Sequence, residues 1–220
     1  MIPFDALHAC IALSPVAVYL MLMGLINLGK RPFLTTGSRD VAALGIALTG
    51  LFLCGPAKLF LPESAFLRIG PWVWPLLLAL YLLFLTLMVL VIRPRLVIYN
   101  ITNDQLRPLL GSVVADLDKA AQWAGDSLTL PSLGVQLHID PQDGFRYVQL
   151  VSAGPRQNFA GWRRLELVLG KALRESAGGN RNPLAVSLLF FSALIIGIVT
   201  FMMINEPQTI ADSLREVLRQ

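Results

Sequence analysis

Four stretches of the chain are strongly apolar, and one stretch between the third and the fourth is not. The apolar runs extend from about Ala6 to Leu28, Val41 to Leu61, Trp72 to Ile92 and Leu184 to Ile204. Each has the roughly 20 residues that a helix needs to cross about 30 Å of hydrocarbon. No basic residue precedes the first run, and Lys30-Arg31 follows it in place of a small-residue cleavage site. That pattern predicts a retained helix and not a signal peptide.

Between Arg93 and Pro183 the periodicity changes. Leu96 to Tyr99 is β-prone. Thr102 to about Ala120 carries Leu106, Leu109, Leu110, Val113, Val114 and Leu117 on one helical face, with Thr102 and Gln105 spaced as a capping box and Pro108 as an internal defect. Three strands are expected next, at Ser127 to Leu130, Val135 to Asp140 and Arg146 to Ser152, the last two joined by a Pro141-Gln142-Asp143-Gly144 turn. A helix from about Asn158 to Ser176 and a Gly178-Gly179-Asn180 linker complete the region. The fold class expected is therefore a membrane α-helical protein with four transmembrane helices and an inserted small α+β two-layer domain. Its element order is β-α-β-β-β-α, over residues 93–183. From Pro207 to Gln220, Ile210, Leu214, Val217 and Leu218 form one face of a short amphipathic tail, in the segment 205–220, that needs a surface to fold on.

Composition agrees with lipid as solvent. Of 220 residues 55% are hydrophobic and only 15% charged, where soluble domains carry about a quarter charged. The net charge of +4 is modest, and much of it flanks the apolar runs, so it points to topology and anionic lipid headgroups and not to nucleic acid. Lys30, Arg31 and Arg39 follow the first run, and Arg93, Arg95 and Arg181 bracket the polar region, against only Lys58 and Arg68 in the second connection. The N-terminus and C-terminus are accordingly expected outside the cell, with residues 93–183 in the cytoplasm.

Small residues predict where the helices approach. Ala43, Ala47, Gly50 and Cys54 recur at spacings of four, three and four, and the fourth run has a shorter stripe of Ala193, Gly197 and Thr200. The second and fourth helices are the expected partners, and the Leu-rich third faces lipid. Pro15 and Pro56 are expected to kink the first and second helices.

On a wheel at about 100° per residue, the last helix of the polar region has two opposed faces. With Arg163 at zero, Arg174 falls near about 20°, Lys171 near about 80° and Arg164 near about 100°. Trp162, Leu165, Val168, Leu169, Ala172 and Leu173 occupy about 140° to 280°. Arg163, Arg164, Lys171, Arg174 and Arg181 are therefore the candidate contacts to anionic headgroups or to a partner, with an ordinary solvated face, paired locally to Glu166 and Glu175, as the alternative. The Gly154-Pro155-Arg156-Gln157 turn and Trp162-Arg163-Arg164 form the densest polar patch, the first place to look for a bound peptide or nucleotide.

Reactive chemistry has little to stand on. The chain has no glycine-rich phosphate loop, nucleophile elbow, paired-His metal motif or CxxC, so no catalytic residue, cofactor or metal is assigned. His138 alternates with apolar residues on a strand and lacks a visible partner, and Cys10 and Cys54 sit in apolar runs. The expected function is a membrane-anchored interaction module, an accessory or scaffold component that meets a membrane protein partner or a second copy of itself. Two alternatives stand beside it. One is a lipid-directed membrane enzyme or subunit using Asp5, His8, Lys58 and Glu63, and the other is a membrane-bound sensor.

Overall fold

In the computed structural model the described residues are 6–55, 70–141, 146–155, 157–176 and 184–205. Pro56, the polar residues Asp5, Lys58 and Glu63, the Gln142-Asp143-Gly144 part of the turn, Arg156, Arg181, the glycine linker and the tail after Asn205 lie outside them. The elements are α1 (Ala6–Leu28), β1 (Phe33–Thr36), α2 (Gly37–Cys54), a 3-10 turn (Gly70–Trp72), α3 (Val73–Val91), β2 (Arg95–Tyr99), α4 (Asn103–Leu117), β3 (Gln122–Ala124), β4 (Ser127–Leu130), β5 (Val135–Pro141), β6 (Tyr147–Ser152), α5 (Phe159–Glu175) and α6 (Leu184–Asn205). Contacts divide the chain into two units. One comprises Met1–Met23, Ala42–Leu90 and Ser187–Gln220, the other Gly24–Val41 and Val91–Val186.

The second unit is an antiparallel sheet of six strands in the order β1-β2-β6-β5-β4-β3. Strict alternation along β5 makes the sheet two-sided: Val135, Leu137 and Ile139 are buried while Gln136 and His138 are exposed. Leu106 and Leu110 of α4 and Leu165, Leu169 and Leu173 of α5 cover the apolar side and are each at most 1% exposed. Each such leucine contributes about 1.5–3 kcal/mol by leaving water. A one-residue slip of any strand would turn its apolar set outward, so the same residues fix the register.

Two strands were not anticipated. β1 comes from the first connection and pairs with β2 at the edge of the sheet, and β3 follows α4 at the opposite edge. Four and three residues are too short to carry a visible period, and both owe their conformation to a longer neighbour. Asn100, just after β2, tightens this attachment. It adopts a left-handed φ of 64°, which asparagine tolerates better than most residues, and its amide donates to the carbonyls of Ile26 at 2.6 Å and Arg31 at 3.4 Å. The first of these belongs to the last turn of α1, where carbonyls lack a partner within the helix. Tyr99 donates to Asp40 in the first turn of α2 at 2.8 Å.

α4 keeps its helix through Pro108. The carbonyl of Asp104, which would have bonded to residue 108, lies on an exposed turn open to solvent. The capping box of Thr102 and Gln105 is formed.

In the first unit α1, α2, α3 and α6 are each long and apolar enough to cross a bilayer. α2 starts at Gly37 and not at Val41, because Thr36 accepts a bond from the amide of Arg39 at 3.4 Å and lets the polar first turn join the helix. Its small stripe meets α1. A Cβ on Gly50 would strike the carbonyl oxygen of Ile11 and lie 3.1 Å from the Cα of Ala12. α3 also packs on α2, through a hydrogen bond from Tyr81 to the carbonyl of Gly45 at 2.5 Å and rings of Phe52 and Tyr81 at 4.7 Å. α6 reaches α1 through Ser192, which is buried and donates to the carbonyl of Ala17 at 2.9 Å. These contacts correct the expected pairing of the second and fourth helices: both pack on the first. Ala193, Gly197 and Thr200 are exposed, and a Cβ on Gly197 would meet nothing within 4 Å among the described residues. Small size permits close approach without requiring it, and in α6 a hydroxyl carries the contact instead.

Candidate anion-binding groove

α5 is where the sheet unit concentrates charge. The Asn158 side chain caps it by accepting from the amide of Ala160 at 3.0 Å, and Trp162, Leu165, Leu169 and Leu173, spaced three, four and four apart, bury one face. The opposite face leaves Arg163, Arg164, Lys171 and Arg174 exposed.

Three of those four cations line one cavity of about 430 Å³ between α5 and the first connection. Arg163, Lys171 and Arg174 meet Arg39 of α2 there, with Glu166, Gly170 and the Phe33-Leu34 end of β1 completing the wall. Arg39 and Glu166 form an ion pair at 3.1 Å, with side chains 73% and 22% exposed. A pair so open to solvent contributes little stability, and salt screens it. Of the candidate contacts, Arg164 does not line this cavity and Arg181 lies outside the described residues. Arg39 and Glu166 join the site although the sequence suggested them only as a topology marker and a local ion-pair partner. Nothing in the linear order brings residue 39 to residue 166; the pairing of β1 with β2 does.

Of the polar patch at residues 154–157 and 162–164, Arg156 lies outside the described residues. Gln157 is a bracket: its amide donates to the carbonyls of Gln136 at 3.0 Å and Ala153 at 2.5 Å, and its oxygen accepts from the buried Trp162 indole at 2.8 Å. A second cavity of about 650 Å³ beside it, lined by Pro131, Gly134 and Pro155 among others, therefore finds the polar atoms of Gln157 already engaged.

Asp118 is a structural carboxylate in the turn after α4. Its oxygens accept from the Ser132 hydroxyl at 2.7 Å, the Ser132 amide at 2.8 Å and the Ala120 amide at 3.0 Å. Burial alone would raise its pKa, but the Ser132 hydroxyl and the two amides outweigh burial and hold it below the ordinary 3.8. His138 does have a neighbour, the Ser127 hydroxyl at 3.1 Å from Nδ1, on the exposed face of paired strands. Among the described residues neither cavity includes that pair, which reads as a cross-strand polar contact. His8 lies half-buried near the start of α1, and no cluster of three His, Cys, Asp or Glu side chains among the described residues is placed to hold a metal ion.

Ala47 and Gly50 are buried and Ala43 and Cys54 half-buried, so the α2 stripe faces protein in this structure, and neither Cys10 nor Cys54 forms a disulfide. No family model matches the chain, and neither a curated protein nor a solved structure matches it.

Proposed function

We propose that this protein is a membrane-anchored interaction module, in which four spans hold the sheet unit against the cytoplasmic face for assembly with another membrane component. One observation carries the reading. The sheet unit incorporates the last turn of α1, the whole first connection and the first turn of α2, so two of the spans continue directly into it.

Chain parity supports the topology. β1 and β2 share a hydrogen-bonded ladder, so they must lie on the same side of any membrane. Crossings by both α2 and α3 between them satisfy that condition. The excess of Lys and Arg at 30, 31, 39, 93 and 95 favours the cytoplasm for that side and the outside for both termini.

The test is purification of the full chain in mild detergent, with quantification of co-purifying membrane proteins and, in parallel, of phospholipid turnover after reconstitution into vesicles. A stoichiometric membrane partner, or a defined homo-oligomer, with unchanged lipid is the expected result. A monodisperse chain that converts phospholipid would overturn the proposal and favour the enzyme.

A further inference from the structure

We infer that the groove between α5 and the first connection binds the phosphomonoester headgroup of an anionic glycerophospholipid. This rests on the reading that the sheet unit is held at the bilayer.

Charge sets the class of ligand. Arg39, Arg163, Lys171 and Arg174 converge on one cavity that contains a single carboxylate, Glu166. A phosphomonoester brings about −1.5 to −2 charges and three acceptor oxygens, and guanidinium groups bind such oxygens in pairs. At about 430 Å³ the cavity admits more than a bare phosphate.

Position sets the source. Arg39 stands two residues before Val41, the first apolar residue of α2, so a rise of about 1.5 Å per residue puts its backbone about 3 Å along the axis from the apolar stretch. The headgroup layer on each side of the hydrocarbon is about 5–8 Å thick. The wall is also amphipathic: Leu167 is 67% exposed and Phe33 44% exposed beside the cations. Apolar side chains open to solvent at the mouth of a cationic cavity suit a lipid, whose phosphate and acyl chains are joined, better than a soluble anion.

Gly170 adds an independent observation. Glycine inside a helix is less favourable than alanine, and a Cβ here would meet only the Leu34 side chain at 3.4 Å, an ordinary contact. Packing among the described residues does not call for glycine at this position, which lines the cavity.

The experiment titrates the full chain, in an uncharged detergent, with short-chain phosphatidic acid, short-chain phosphatidylserine or inorganic phosphate, and reads dissociation constants from tryptophan emission. Phosphatidic acid is expected to bind more tightly than the other two. Removing three cations together, as Arg163→Gln, Lys171→Gln and Arg174→Gln, should weaken it by about a hundredfold, from about fivefold per close basic residue. Glu166→Gln should tighten it by removing the competing carboxylate. Arg164→Gln, exposed on the same helix but outside the cavity, should leave it unchanged, and equal thermal unfolding of all variants shows that they fold. The inference is overturned if the triple variant binds like the parent, if Arg164→Gln costs as much as Arg163→Gln, or if inorganic phosphate binds as tightly as the lipid. Loss of headgroup binding with a retained co-purifying partner would remove the inference and leave the interaction module standing.

Discussion

Gly50→Ala isolates the contact on which the packing of α1 and α2 depends. Pro15 has no amide hydrogen, so the carbonyl of Ile11, four residues earlier, lacks its usual donor inside α1. Gly50 of α2 covers that oxygen: a Cβ there would strike it, so an α-hydrogen of the glycine is directed at it. Such a Cα–H···O contact is worth about 0.5–1 kcal/mol. The new methyl would also press on the backbone at Ile11 and Ala12, which cannot rotate aside as a side chain can. Overpacking of this kind costs about 1–3 kcal/mol, while the helix propensity of alanine returns about 1 kcal/mol. The expected net loss is about 0.5–3 kcal/mol, and a larger one for Gly50→Leu, which should also lower accumulation. The assay is unfolding of the full chain by SDS titration from mild detergent. Gly197→Ala is the control, since a Cβ there meets nothing within 4 Å among the described residues. If Gly50→Ala proves as stable as the parent, or more stable, the close approach is refuted.

Two further perturbations act on the sheet unit. Gly170→Ala should raise stability by about 0.5–1 kcal/mol in a thermal melt, because the methyl contacts Leu34 at an ordinary distance; a fall in stability would mean that packing requires the glycine after all. Asp118→Asn tests the lowered pKa. A carboxylate with a folded pKa below its unfolded 3.8 stabilises the fold fully above 3.8 and ceases to do so as pH falls through the folded value. Acid titration of the parent should therefore show a loss of stability below pH 3.8 that is smaller in Asp118→Asn, and identical acid limbs would show that the three hydrogen bonds to Asp118 do not favour its charged form.

The sequence was most legible where a period ran long enough to be repeated. The apolar face of α5 recurs from Trp162 to Leu173, and the alternation along β5 from Val135 to Ile139, and both appear in the structure with the expected side buried. β1 and β3, at four and three residues, have no period to read, and their conformation is imposed by β2 and β4. The groove inherits that difficulty. Its α5 cations follow from the helical wheel, but Arg39 reaches them only because an unpredicted strand places the first connection at the sheet edge. Helix partners in the apolar unit were hidden for another reason: Ser192 contacts α1 through one hydroxyl, while the small residues that drew attention in α6 are exposed.

The central claim is that the sheet unit is held on the cytoplasmic side of a membrane by the four spans. Ala115→Cys, exposed on α4, in a background where Cys10 and Cys54 are replaced by serine, tests it most directly with an impermeant thiol reagent. The expected result is a protein that stays with membranes after alkaline carbonate and is labelled at position 115 only once the cells are permeabilised. Labelling in intact cells would contradict the orientation, and release by carbonate would contradict the anchoring itself.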